Sequence, residues 1–214
     1  MKRKMSLSLY GAAFLISLAV FIAGVFVGSV LDTTSTQTIS EEISRVSERV
    51  SSVQLLLLME ANSSSFCPVY LSELESIDED VENFGHRLSY LESEKNVHDV
   101  ELKKQYFVLE AESYLLSQKV RGLCGDDSVL LVHFYSNSNC SRCEEQGAEI
   151  LRARDGLDRN VKLFSFDGDI GSPVAEAFMN RYNIRTYPSV VINGKRYSGF
   201  RSAEELQELI SEAQ

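Results

Sequence analysis

The chain has 214 residues, with 31 Asp and Glu against 21 Lys and Arg, for a formal charge of −10 at pH 7. That balance argues against nucleic acid as a partner, and the length allows one domain plus appendages. The four cysteines do not follow a zinc-ligand spacing, and no internal repeat is visible.

Residues 1–4 are basic (Lys2, Arg3, Lys4), and residues 5–31 are uncharged and mostly apolar. Such a run is long enough to span a bilayer core of ~30 Å. A cleaved signal peptide is the competing reading. The run exceeds a signal core, and no Ala-x-Ala site follows it, so an uncleaved transmembrane helix is expected. Positive charge on the N-terminal side leaves residues 1–4 in the cytoplasm and the rest of the chain outside it, as a single-pass cell-membrane protein. Gly24 and Gly28 have the spacing of a helix-packing motif, although two incidental small residues explain them as well.

Residues 32–61 read as a Thr/Ser-rich link, up to about Ser40, followed by an amphipathic helix. Ile39, Ile43, Val46, Val50, Val53 and Leu57 recur at gaps of three and four. Such a seam suits a coiled-coil stalk in a homodimer or packing onto the helices that follow. Asn62-Ser63-Ser64 is a glycosylation sequon.

Residues 62–125 read as a helical hairpin. One helix opens at Cys67-Pro68, with Leu74, Ile77, Val81, Phe84, Leu88 and Leu91 at heptad spacing. A turn follows at residues 92–96, then a helix over about 97–120 that Gly122 and Gly125 end. Two antiparallel helices of similar length bring Cys67 and Cys124 to the same end. Outside the cytosol a structural disulfide is expected there, with stabilisation of about 4 kcal/mol in the chain-entropy model. Two buried free thiols, or a pair that relays disulfides to another dithiol, are the other readings.

Residues 126–214 carry the chemistry. An apolar strand over 129–135 leads through a polar loop to Cys140-Ser141-Arg142-Cys143, followed by a helix over about 144–154. In that context Cys-x-x-Cys reads as a redox dithiol. Cys140 is the expected nucleophile, at a helix start where the dipole favours a thiolate, and Cys143 is the resolving thiol. Arg142 would lower the Cys140 thiolate pKa, whereas Glu144 and Glu145 would oppose it. A strand over 161–166, a helix over 173–182, and a pair of strands joined at Asn193-Gly194 follow. A last helix begins at Ser202, with Glu205 at the capping-box position.

These elements, together with the dithiol and Arg185-Thr186-Tyr187-Pro188 ahead of the third strand, resemble the thioredoxin superfamily. The resemblance covers about residues 128–214. It implies an α/β fold with a four-stranded mixed sheet in the order βαβαββα, and a substrate groove formed in part by Tyr187 and a cis Pro188. His133 lies one residue out of register with the buried acid of thioredoxins. Its readings are a proton shuttle for Cys143 or a hydrogen-bonded core histidine. Unlike thioredoxins proper, the chain has no Trp and carries Ser-Arg rather than Gly-Pro between the cysteines. A membrane-anchored relative working outside the cytosol fits these departures better than a cytosolic thioredoxin.

The expected function is therefore thiol–disulfide exchange on protein thiols or disulfides of exported proteins, or with a membrane redox partner. No cofactor beyond the redox-active disulfide and no metal is expected. The alternative is a non-catalytic binding or assembly module in which Cys140-Cys143 is a permanent disulfide.

Overall fold

Helix α1 (Leu7–Met59) runs unbroken through the stretch where the Thr/Ser-rich link was expected. No Gly or Pro occurs between Gly28 and Pro68. Ser and Thr cost a helix only about half a kcal/mol each, so the link region contains no residue able to stop it. The computed structural model describes residues 7–59 and 64–213, and for 7–10, 12 and 26–36 the backbone alone. It divides into two units, residues 1–41 and 42–214.

In the first unit, residues 1–6, which hold the expected cytoplasmic tail and the start of the expected span, lie outside the described residues. Where side chains are described, Phe14, Leu15, Ile16, Val20, Phe21, Ile22 and Val25 are exposed. No helix among the described residues is long and apolar enough to cross a membrane. The transmembrane helix expected over 5–31 therefore finds no support among the described residues, and residues 5–6 and the side chains of 7–10, 12 and 26–31 lie outside them. Residues 60–63, with most of the sequon, are also outside the described residues.

In the second unit, the α1 seam is used within the chain. Ile43, Val46, Val50, Val53 and Leu57 are buried. Arg49 of α1 reaches Glu73 at 3.1 Å and Asp80 at 3.0 Å on helix α2 (Cys67–Ser93). Ser47 donates to Glu112 at 2.6 Å on helix α3 (Val100–Cys124). The expected two-helix hairpin is thus a three-helix arrangement. Its α2 seam buries Tyr70, Leu74, Ile77, Val81, Phe84 and Leu88. Helix α3 starts later than expected because Asp99 caps it, accepting from Leu102 N at 3.0 Å. It also runs through Gly122: the left-handed residue that ends it is Gly125, with φ 70°. Cys124 is thereby the last helical residue. Cys67 and Cys124 are joined in a disulfide with a Cα–Cα distance of 5.5 Å.

The sheet follows. Strand β1 (Val129–Tyr135) pairs in parallel with β2 (Val161–Asp167) and antiparallel with β3 (Ser189–Ile192), which pairs antiparallel with β4 (Lys195–Ser198). The order is β2-β1-β3-β4. Helices α4 (Cys143–Asp155), α5 (Pro173–Arg181) and α6 (Ala203–Glu212) complete a thioredoxin-like fold with a four-stranded mixed sheet. Asn193 and Gly194 both take positive φ, 46° and 86°, as a tight hairpin turn requires. The capping box at α6 is formed, with Glu205 N donating to Ser202 Oγ at 3.3 Å and Ser202 N to Glu205 Oε2 at 3.0 Å.

Strand alternation sorts the core into two layers. Val129, Leu131, Val161, Val190 and Ile192 pack with Ile150 and Ala153 of α4 and Leu206 and Ile210 of α6. Phe164 and Phe166 face α3 and α5. Phe107 meets Phe166 at 5.5 Å, and Tyr114 meets Phe164 and Phe178 at 5.3 Å each. The sequence boundary at 125/126 therefore does not separate two cores, because α3 supplies aromatic cover for the sheet.

Candidate functional site

The dithiol sits where β1 hands over to α4. Cys140 and Cys143 form a disulfide with a Cα–Cα distance of 5.5 Å. Helix α4 begins at Cys143, so Cys140 lies in the turn that precedes the helix rather than at its first residue. No side chain caps the helix start, and Gln146 N donates to Arg142 O at 2.9 Å. Cys143 is only 6 % exposed, whereas Cys140 is half-buried. That asymmetry makes Cys140 the sulfur a partner can reach.

The loop ahead of Cys140 is held by two carboxylates that the sequence reading missed. Asp169 Oδ2 accepts from Ser136 Oγ at 2.8 Å, Ser138 N at 2.9 Å and Ser138 Oγ at 2.6 Å. These bonds, led by the Ser138 hydroxyl, hold its carboxyl below the usual carboxylate range. Asn139 N in turn donates to Ser136 Oγ at 2.9 Å. Asp167 Oδ2 accepts from Asn137 Nδ2 at 2.7 Å and from Lys103 Nζ at 3.2 Å. Lys103 of α3 is buried and also meets Glu92 at 2.9 Å. Burial opposes its charge, but Tyr135, Glu92 and Asp167 hold it above its ordinary range. The signal that was available is Asp167-Gly168-Asp169 directly after an aromatic strand. Nothing in the α3 pattern marks Lys103.

Arg142 was expected to favour the Cys140 thiolate. Its guanidinium is instead paired with Glu145 through two 2.8 Å hydrogen bonds and lies 3.3 Å from the centre of the Phe200 ring. Its charge is largely neutralised by that carboxylate in an exposed setting, which weakens any effect on the sulfur.

His133 is buried, stacked on Tyr135 at 5.5 Å, and its Nε2 finds no hydrogen-bond partner among the described residues. Burial lowers its pKa to about 4. It is neutral at ordinary pH and adds no positive charge beside the dithiol. Another buried group lies nearby: Glu110 of α3 accepts from Tyr106 Oη at 2.8 Å and from Ser165 N of edge strand β2 at 3.0 and 3.1 Å. Burial pushes its carboxyl up to about 8, against the hydrogen bonds from Tyr106 and Ser165.

Cys140, Cys143, His133 and Glu110 line one groove. Tyr187 and Pro188 are not among its lining residues. Their peptide bond is cis, and the Tyr187 hydroxyl donates to Met179 Sδ at 3.0 Å. A Cβ at Gly168 would collide with that hydroxyl, so a larger residue there would displace the Tyr187 ring. Pro188 O accepts from Gly199 N at 2.9 Å, which ties this turn to the segment carrying Phe200. Cys67, the first residue of α2, and Cys124, the last of α3, are not among the residues lining the groove. Among the described residues, no group of three or more His, Cys, Asp or Glu converges as a metal site.

No family model matches the sequence, and no curated protein matches it. Three solved structures illustrate what the chain is similar to. Chloroplastic thioredoxin z is 24 % identical, with 44 % of this chain and 86 % of that one covered and a TM-score of 0.35. Thioredoxin-2, a component of malaria parasite protein secretion machinery, is 19 % identical over 39 % of this chain and 82 % of that one, with a TM-score of 0.34. The first thioredoxin domain of mouse protein disulfide-isomerase A4 is 19 % identical over 44 % of this chain and 69 % of that one, with a TM-score of 0.32.

Proposed function

We propose that this chain is a thiol–disulfide oxidoreductase acting outside the cytosol, on exported proteins or on a membrane redox partner, from a single-pass anchor over residues 5–31. The observation that carries the reading is the Cys140–Cys143 disulfide ahead of α4, with Cys140 accessible and Cys143 covered. Two observations support the location. They are the exposed apolar side chains of residues 11–25 and the disulfide between Cys67 and Cys124, a bond type that persists in oxidising compartments.

The exchange balances without a cofactor. A substrate thiol loses its proton, and its thiolate attacks Cys140 Sγ. A substrate–Cys140 disulfide forms, the Cys140–Cys143 bond breaks, and Cys143 leaves as a thiolate that takes up a proton. A second substrate thiol, deprotonated in its turn, attacks the substrate sulfur of the mixed disulfide and releases Cys140, which is then protonated. The substrate dithiol has become a disulfide, and the protein disulfide a dithiol. Run backwards, the same steps reduce a substrate disulfide.

The test is turnover. The purified full chain should catalyse insulin reduction by a small dithiol, or oxidise a dithiol peptide in a single turnover. Absence of both activities in a folded protein would replace this reading with that of a binding module.

A further inference from the structure

The groove that reaches the dithiol is not formed by the thioredoxin-like elements alone. One wall is α4, through Cys143, Glu144, Gly147, Leu151 and Arg154, and the opposite wall is α2. Its volume is about 1320 Å³, above the ~300–1,000 Å³ of small-molecule sites. From Cys143 to Arg154 the α4 wall runs about 16 Å at the helical rise, the length of about five extended residues.

Its chemistry is one-sided. Carboxyl residues outnumber Lys and Arg seven to three along the lining. All three cations are already paired: Lys162 with Asp78 at 2.6 Å, Arg154 with Glu82 at 2.9 Å, and Lys103 with Glu92 and Asp167. Glu75 and Glu144 are left without an ion pair among the described residues. Leu71 and Leu151, each 37 % exposed, put apolar surface on the facing walls. His133 also lines the groove, with its ring stacked on Tyr135 at 5.5 Å and its Nε2 buried.

The geometry points to this groove as a binding site for an extended polypeptide segment that alternates apolar and Lys or Arg side chains, delivered to Cys140 from the α2 side. The site is distinct from the turn at Tyr187-Pro188, and its role in exchange rests on the thiol–disulfide reading above. Apolar side chains pack on Leu71 and Leu151, and cationic ones meet Glu75 and Glu144. A cysteine in the segment then lies at the dithiol end.

The experiment measures binding apart from redox chemistry. A fluorescein-labelled peptide of about ten residues, alternating Lys and Leu around a central Ser in place of Cys, is titrated with the full chain and followed by anisotropy. The Lys peptide should bind, with affinity falling about tenfold between low and moderate salt, and its Glu-for-Lys counterpart should not. A Cβ at Gly147 would meet nothing within 4 Å. Gly147→Phe therefore fills the groove and should weaken binding by about tenfold or more, whereas Gly147→Ala should stay within about twofold. Should Gly147→Phe fail to fold, Glu75→Lys combined with Glu144→Lys, both at exposed positions, should abolish binding of the Lys peptide. Equal binding of the two peptides, or wild-type affinity in the folded groove variants, would overturn the proposal. Oxidation of dithiothreitol by the wild-type disulfide is measured in parallel. Exchange without peptide binding sinks the groove alone, and peptide binding without exchange sinks the dithiol reading alone.

Discussion

Removing the Cys67–Cys124 disulfide should destabilise the chain without stopping thiol exchange. The two residues are 57 apart in sequence. Cross-linking a loop of that length removes about 14 cal/mol/K from the unfolded chain, or about 4 kcal/mol at 25 °C. The loop contains α2 and α3, whose contacts include six buried α2 side chains from Tyr70 to Leu88 and the α3 aromatics on the sheet. The helices therefore remain packed when the bond is absent, and the effect is expected in the melting temperature rather than in the fold. For a chain of this size each kcal/mol shifts the midpoint by about 2–4 °C, so the fall should be about 8–16 °C. The assay is differential scanning calorimetry on Cys67→Ala/Cys124→Ala, which leaves no stray thiol, alongside insulin reduction. A midpoint that does not move, together with collapsed turnover, would refute the staple and make this pair a relay for Cys140-Cys143.

Buried titratable groups give the chain two opposed pH dependences. Glu110 has an ordinary value of 4.5 and a folded value of about 8. The folded state thus binds the extra proton, and stability falls as pH rises from about 4.5 to about 8. Glu110→Gln should remove that slope and raise stability at pH 7 by about 3 kcal/mol, read from urea midpoints. His133 runs the other way, from 6.5 down to about 4. The unfolded chain takes up the proton first, so stability falls as pH drops from about 6.5 to about 4, and His133→Leu should flatten that limb. Unchanged slopes in either variant would show that the group does not titrate as argued. Asp169→Ala should release the Ser136–Asn139 loop and slow thiol exchange by about tenfold while the melting midpoint stays within a few degrees. An unaltered rate would mean that the loop does not position Cys140.

The thioredoxin-like half was legible because its signals are local: alternation in the strands, Asn193-Gly194 at the hairpin, Ser202 and Glu205 at the last cap, and the dithiol between a strand and a helix. The failures share a cause, which is that side-chain partners distant in sequence are not written in periodicity. Arg142 looked like a free charge beside Cys140 until Glu145 and Phe200 were seen to hold it. Lys103 carries no mark in the helix pattern, yet it bridges Glu92 and Asp167. Helix α3 looked like half of a separate hairpin, because nothing in its own sequence tells which of Phe107 and Tyr114's partners lie in the sheet. The break expected near Ser40 rested on composition alone, and without Gly or Pro the helix continued.

The most direct test of the central claim is the asymmetry of the dithiol. Cys143→Ser leaves the accessible Cys140 thiolate free to attack and removes the thiol that releases the partner. Expressed in cells, this variant should accumulate disulfide-linked adducts, seen as reducible high-mass bands in non-reducing gels, and Cys140→Ser should give far fewer. Equal trapping by the two variants, or none by either, would contradict the roles given to Cys140 and Cys143.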